Sequence, residues 1–66
     1  MAVLKVIELM SDSSKSWEDA TAKGIAKAAK TLKGLKSAHV QNQSVTVSGG
    51  KVTSYRVNLK LSFEII

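Results

Sequence analysis

The stretch VTSYRVNLKLSFEII, residues 52–66, decides how the rest of the chain is read. Tyr55, Val57, Leu59, Leu61, Phe63 and Ile65 alternate with Arg56, Asn58, Lys60, Ser62 and Glu64. A period of two puts the first set on one face of a β-strand and the second on the other. Such a strand needs an apolar cover on one side only, and an amphipathic helix elsewhere in the chain must supply it. Upstream, SGGK (residues 48–51) carries Gly49-Gly50, a hairpin turn signal because glycine takes positive φ without steric cost. The preceding AHVQNQSVTVS, residues 38–48, is then the partner strand. Its phase slips between Val40 and Val45, which predicts a bulge near residues 42–44.

The cover is found at residues 17–35. Trp17, Ala20, Thr21, Gly24, Ile25, Ala28, Leu32 and Leu35 recur at spacings of three and four, one face of a 3.6-residue period. Ser16 followed three residues later by Asp19 is a capping-box pattern that starts the helix at Trp17. Gly34 is its natural stop, with Lys30 and Lys33 placed to complement the negative end of the helix dipole. Ala20, Gly24 and Ala28 make the face small-sided, so the axis can come close to a sheet. Ahead of the helix, AVLKVIELM (residues 2–10) is rich in Val, Ile and Leu and reads as a first strand that ends at the polar SDSSKS, residues 11–16.

The order is strand, helix, strand, strand, an α+β subunit. A crossover helix makes its flanking strands parallel, so the third and most apolar strand runs antiparallel between them, giving sheet order 1-3-2. The helix covers one sheet face. The other, bearing Arg56, Asn58, Lys60 and Ser62, has no cover within the chain.

At 66 residues without a repeat the chain is one domain, residues 1–66. A domain this small buries only about 60% of its unfolded surface. Its usual supports are disulfides, a metal or association. Cysteine is absent and a single histidine excludes the common zinc arrangements, so association is expected. The first residues are too short an apolar run, broken by Lys5 and Glu8, for a signal sequence or a membrane span, which leads to the expectation of a soluble cytoplasmic protein without membrane partners. No nucleophile and base pair up, and Gly49-Gly50 lacks the spacing of a phosphate loop, so no enzyme is expected. His39 reads as a strand surface or interface residue. The net charge of +5 favours small anionic partners. Lys23, Lys27 and Lys30 make a solvated helix face, with Asp19 placed to pair with Lys23, rather than a nucleic-acid surface. Trp17 reads as a core plug at the first helical turn.

KVIEL at the first strand, SWEDA at the helix start, AKTLKGL at its end and the closing YRVNLKLSFE together resemble the dodecins, in order and over essentially the whole chain. That resemblance implies twelve copies in a hollow, roughly spherical shell. It also implies a ligand: in flavin-binding members a tryptophan just after the helix stacks on the flavin, and a glutamine of the last strand lies against the flavin pair. Those positions here are Ser37 and Arg56. Stacking of this kind is worth ~1 to 3 kcal/mol per ring, so its loss weakens flavin binding severely. A guanidinium at Arg56 can stack on a ring or pair with a phosphate in partial compensation. The resemblance therefore implies a non-enzymatic homododecamer that binds FMN or another phosphate-bearing cofactor near Ser37, His39 and Arg56. The ring-free subgroup, which this chain also resembles, implies calcium or a purely structural shell as the alternative.

Overall fold

The computed structural model describes residues 3–65. It contains strand β1 (Leu4–Ser13), helix α1 (Trp17–Ala29), strand β2 (Leu35–Ser48) and strand β3 (Lys51–Glu64). The strands form one antiparallel sheet in the order β1-β3-β2, as the alternation of the last strand requires. Val57, Leu59 and Leu61, the odd-numbered row of β3, are fully buried under α1. Against them lie Ala20, Gly24 and Ala28, the small residues of the helix. Closeness is enforced at Gly24. A Cβ built there would stand 3.0 Å from Ser11 Cβ and 3.3 Å from Leu59 Cδ1. The Ser11 hydroxyl ties the same contact from the side, donating to the Ala20 carbonyl at 2.8 Å.

The helix starts where the capping pattern put it, since Ser16 Oγ accepts the Asp19 N–H at 3.0 Å. Asp19 does not complete the box by reaching back. Its carboxylate instead accepts from the Ser13 hydroxyl at 2.5 Å and pairs with Lys23 at 3.1 Å, fastening the end of β1 to the first helical turn. This is why β1 runs to Ser13 and does not stop at Met10. Ser11, Asp12 and Ser13 pair with Val57, Arg56 and Tyr55, and Ser13 is buried, so polarity here marks hydrogen bonding to the helix rather than the end of the strand. The expected start at Ala2 lies outside the described residues.

The helix also ends earlier than Gly34. Its last residue is Ala29 and its cap Lys30, with Lys27 the basic residue of the last turn. The Ala28 carbonyl takes the Thr31 and Leu32 N–H groups at 3.1 and 2.8 Å and the Thr31 hydroxyl at 3.3 Å, which closes the turn there. Gly34, at φ +74°, turns the chain into β2. Its carbonyl accepts from the Glu64 N–H, and a Cβ on it would stand 3.1 Å from the Glu64 carbonyl oxygen. β2 consequently begins at Leu35, three residues before the expected start, and β3 ends at Glu64, short of 66. Gly49 and Gly50 both have positive φ, +58° and +75°, the pattern of a type I′ turn. The phase slip in β2 falls between Val40 and Asn42, and further register shifts occur between Leu35 and Ser37 and between Thr46 and Val47.

The long hairpin outruns the helix. The chain measures 50 × 19 × 13 Å, and its radius of gyration of 13.5 Å exceeds the roughly 10.8 Å of a compact 66-residue domain. Its accessible surface, 4787 Å², likewise exceeds the roughly 4,100 Å² expected at its mass.

Two outcomes follow for stability at fixed protein concentration. Gly24→Val drives a branched side chain into Ser11 and Leu59. It should lower the unfolding free energy by about 1–3 kcal/mol, read from urea midpoints. The Ser13 hydroxyl, then Lys23, hold the Asp19 carboxyl below its ordinary value, against the opposing effect of partial desolvation. Because the folded value is the lower one, the stabilisation is complete above the unfolded value and disappears as pH falls through the folded one. Ser13→Ala should therefore flatten the loss of stability between about pH 5 and pH 2.

Candidate functional site: the uncovered sheet face

Residues opposite one another in the ladder share a face, so the register maps the uncovered side row by row. Val6, Ser62 and Ser37 form one row, and Glu8, Lys60 and His39 the next. Met10, Asn58 and Asn42 follow, then Asp12, Arg56 and Ser44. All three residues singled out from sequence, Ser37, His39 and Arg56, lie on this face. They do not form one cluster. Ser37 and His39 are adjacent on the same side of β2, whereas Arg56 is four residues along β3 from the His39 row, about 13 Å away at strand rise.

Arg56 is also engaged. Its Nη2 donates to Asp12 Oδ2 at 3.3 Å, with both side chains partly exposed. Such a pair is worth about 0–1 kcal/mol, so an anionic ligand could compete for the guanidinium at little cost. Glu8 stands opposite Lys60, which in turn stands opposite His39, placing a carboxylate, an ammonium and an imidazole across three strands.

Aromatic rings are a different matter. Trp17 and Tyr55 pack edge to face with centroids 5.2 Å apart, and the Trp17 indole N–H donates to the Ser44 carbonyl at 3.0 Å. Both belong to the helix side of the sheet, as does Phe63, which shares the parity of Leu61 and Leu59. Trp17 is thus a half-buried lid on the core edge, anchored by its nitrogen. The open face offers a flat ligand no Phe, Tyr or Trp ring, only the His39 imidazole, and Ser37 is exposed. These residues do not fit a stacked flavin. Among the described residues no three His, Cys, Asp or Glu side chains come together as a metal group. Glu8 and Asp12 nevertheless project from the same side of β1, and one copy could contribute them to a site shared with others.

Sequence reasoning missed Glu8, Asp12 and Asn42 as members of this face. A strand of nine residues, cut off before Ser11, hid the shared parity of Glu8 and Asp12.

A three-stranded sheet with a helix on one side and a charged surface without Phe, Tyr or Trp on the other defines a small βαββ protein. The chain belongs to the dodecin family, whose model, described as Dodecin, matches residues 3–65. The calcium dodecin of Mycobacterium tuberculosis is 38% identical over 66 residues, covering 98% of this chain and 92% of that protein. A crystal structure of that calcium dodecin, described as having a novel calcium-binding site, superposes with a TM-score of 0.85 at 33% identity, over 98% of this chain and 93% of the other. A dodecin from Thermus thermophilus superposes with a TM-score of 0.93 at 30% identity, over 100% and 98% of the two chains. The Streptomyces coelicolor dodecin gives 0.94 at 25% identity, over 98% and 93%.

If Ser37 occupies the wall where flavin-binding members carry their ring, Ser37→Trp should raise affinity for FMN roughly 5- to 150-fold, the equivalent of one stacked ring. Quenching of FMN fluorescence on titration with the variant and the parent protein checks it; equal curves would remove Ser37 from the site.

Proposed function

We propose that this protein is a non-catalytic homododecameric shell that holds a small ionic ligand on its open sheet faces, with calcium or a similar cation as the ligand. The observation that carries this reading is the composition of the face: exposed carboxylates at Glu8 and Asp12, oxygen donors at Asn42, Ser44 and Asn58, and no Phe, Tyr or Trp ring. Calcium takes six to eight oxygen ligands, more than one copy presents in one place. Repetition of Glu8 or Asp12 from two or three copies around a symmetry axis would supply them. The relationship to a calcium dodecin supports the same choice.

A phosphate-bearing cofactor, flavin included, is the second reading. The net charge of +5 favours it, as does the weakly held guanidinium of Arg56 beside exposed Ser44. The missing ring counts against flavin in particular. Neither reading calls on a nucleic acid or a membrane, and no described helix is long and apolar enough to span one. A cytoplasmic location belongs to the same proposal.

Titration calorimetry with calcium, then magnesium, on protein freed of metal by a chelator tests the choice. Saturable heat with calcium that is larger than with magnesium, and at least tenfold weaker binding in Glu8→Gln or Asp12→Asn, is the expected result. No calcium heat, together with FMN fluorescence quenched at micromolar protein, would transfer the assignment to the second reading.

A further inference from the structure

We propose that His39 sets the sign of the ion that the open sheet face accepts, so that the face takes a cation while the imidazole is neutral and exchanges it for an anion once the imidazole is protonated. The inference rests on the reading of that face as the ion-holding surface of a closed shell and names what regulates it.

Every fixed charge on the face has an opposite charge beside it. Arg56 Nη2 lies 3.3 Å from Asp12 Oδ2. Lys36, in the register shift between Leu35 and Ser37, brings its Nζ to 3.9 Å from Glu64 Oε1, and Glu64 has the parity of Ser62 and Lys60. Glu8 stands opposite Lys60 in the ladder. Three carboxylates are thus matched by three cations, and the face carries no net charge. The chain's charge of +5 is carried elsewhere, chiefly by α1 and the segments flanking it. Lys51, at the hairpin turn, is nine residues along β3 from Lys60, roughly 30 Å at strand rise.

Against that balance His39 is the one titratable side chain of the face without a counter-charge of its own. It lies on β2 directly opposite Lys60, with Glu8 beyond on β1, two interstrand spacings or about 10 Å from its own strand. Imidazole changes charge between about pH 5 and 8, where carboxylates stay ionised and lysine and arginine stay protonated. Among the described side chains, therefore, only a histidine can alter the charge of this face in that range, and His39 is the one the chain has. Protonation sets two cations against the single carboxylate of Glu8 in that row and leaves the face at a net charge of one. One such charge on an open surface is largely screened by salt beyond about 8 Å. Repetition around a symmetry axis brings several copies of it to bear on a shared ion, and a divalent cation feels each one doubly. Helix α1 lies on the opposite side of the sheet and adds no charge to this one.

His39 is exposed, so glutamine or lysine in its place leaves the core row untouched. Calcium titrations of the intact assembly at about pH 7.5 and 5.5, either side of the imidazole's range, read the effect at one low ionic strength, with the mass checked at both. For the parent protein the calcium dissociation constant should rise roughly three- to tenfold at the lower pH. In His39→Gln it should change less than about twofold, and His39→Lys should bind as weakly at the higher pH as the parent does at the lower. Sulfate, whose charge is constant over this range, should bind the parent more tightly at the lower pH and His39→Gln equally at both. A parent-like fall in calcium affinity in His39→Gln would overturn the role of His39 and pass it to another titrating group. Parent protein that binds calcium alike at both pH values would overturn the switch while leaving calcium as the ligand. Calcium release without any sulfate binding would overturn the anion half of the proposal. Parent protein that binds no calcium at either pH would overturn the calcium reading, and the sulfate titrations alone would then decide: a gain at the lower pH that His39→Gln lacks upholds the role of His39, and equal binding or none removes it.

Discussion

One row of side chains holds this molecule together: Val57, Leu59 and Leu61, on the side of β3 that faces α1. Because β3 is the central strand, the row lies between β1 and β2 and under the helix, where it can lose all its water. Complete burial of such side chains is worth roughly 1.5–3 kcal/mol each, against a cost of order 1–2 kcal/mol for every backbone residue fixed. Every other large apolar side chain among the described residues remains at least partly wet. Leu4, Val6 and Met10 on the uncovered face and Val45, Val47 and Val52 on the hairpin are exposed. The dominant constraint on the structure is thus a core too thin for the length of chain it orders, and the remaining apolar surface is what a neighbouring copy can use.

The same thinness explains the helix. A helix of large apolar residues would stand away from the sheet and leave the β3 row partly hydrated. Ala20, Gly24 and Ala28 bring the axis in, and Ser11 uses the closeness to reach the helix backbone. Flanking residues Trp17, Ile25 and Leu32 then seal the edges, the first of them fixed by its indole hydrogen bond. The other face is left free of that packing demand, so nothing there competes with charge. Glu8, Asp12, Arg56, Lys60 and His39 can occupy it because nothing within the chain has to be buried there.

Periodicity made the central strand, the helix-covered side and the sheet order readable, since an alternating row and a 3.6-residue stripe admit few ways to cover one another. The start of α1 was readable for a local reason, the Ser16 cap. The end of β1 was not, because Ser11 and Ser13 look like loop residues until the helix that accepts their hydrogen bonds is in place. Gly34 misled in a related way: its positive φ is real, but it serves the entry to β2, while the Ala28 carbonyl and Thr31 had already closed the helix. On the candidate site, parity placed Ser37, His39 and Arg56 on one face only once the shift after Val40 was located. Their separation along the sheet, and the engagement of Arg56 by Asp12, depend on cross-strand register, which no single segment encodes. Family likeness carried the rest, and the resemblance over the full chain proved sound.

The central claim is that the fold and the assembly are one equilibrium. Sedimentation velocity and far-ultraviolet circular dichroism on the same dilution series test it directly. The account predicts one particle of about 85 kDa, twelve chains of 7.1 kDa, whose helix and sheet signal disappears together with that mass on dilution. A species of 7.1 kDa that keeps its full dichroism at low concentration would contradict it.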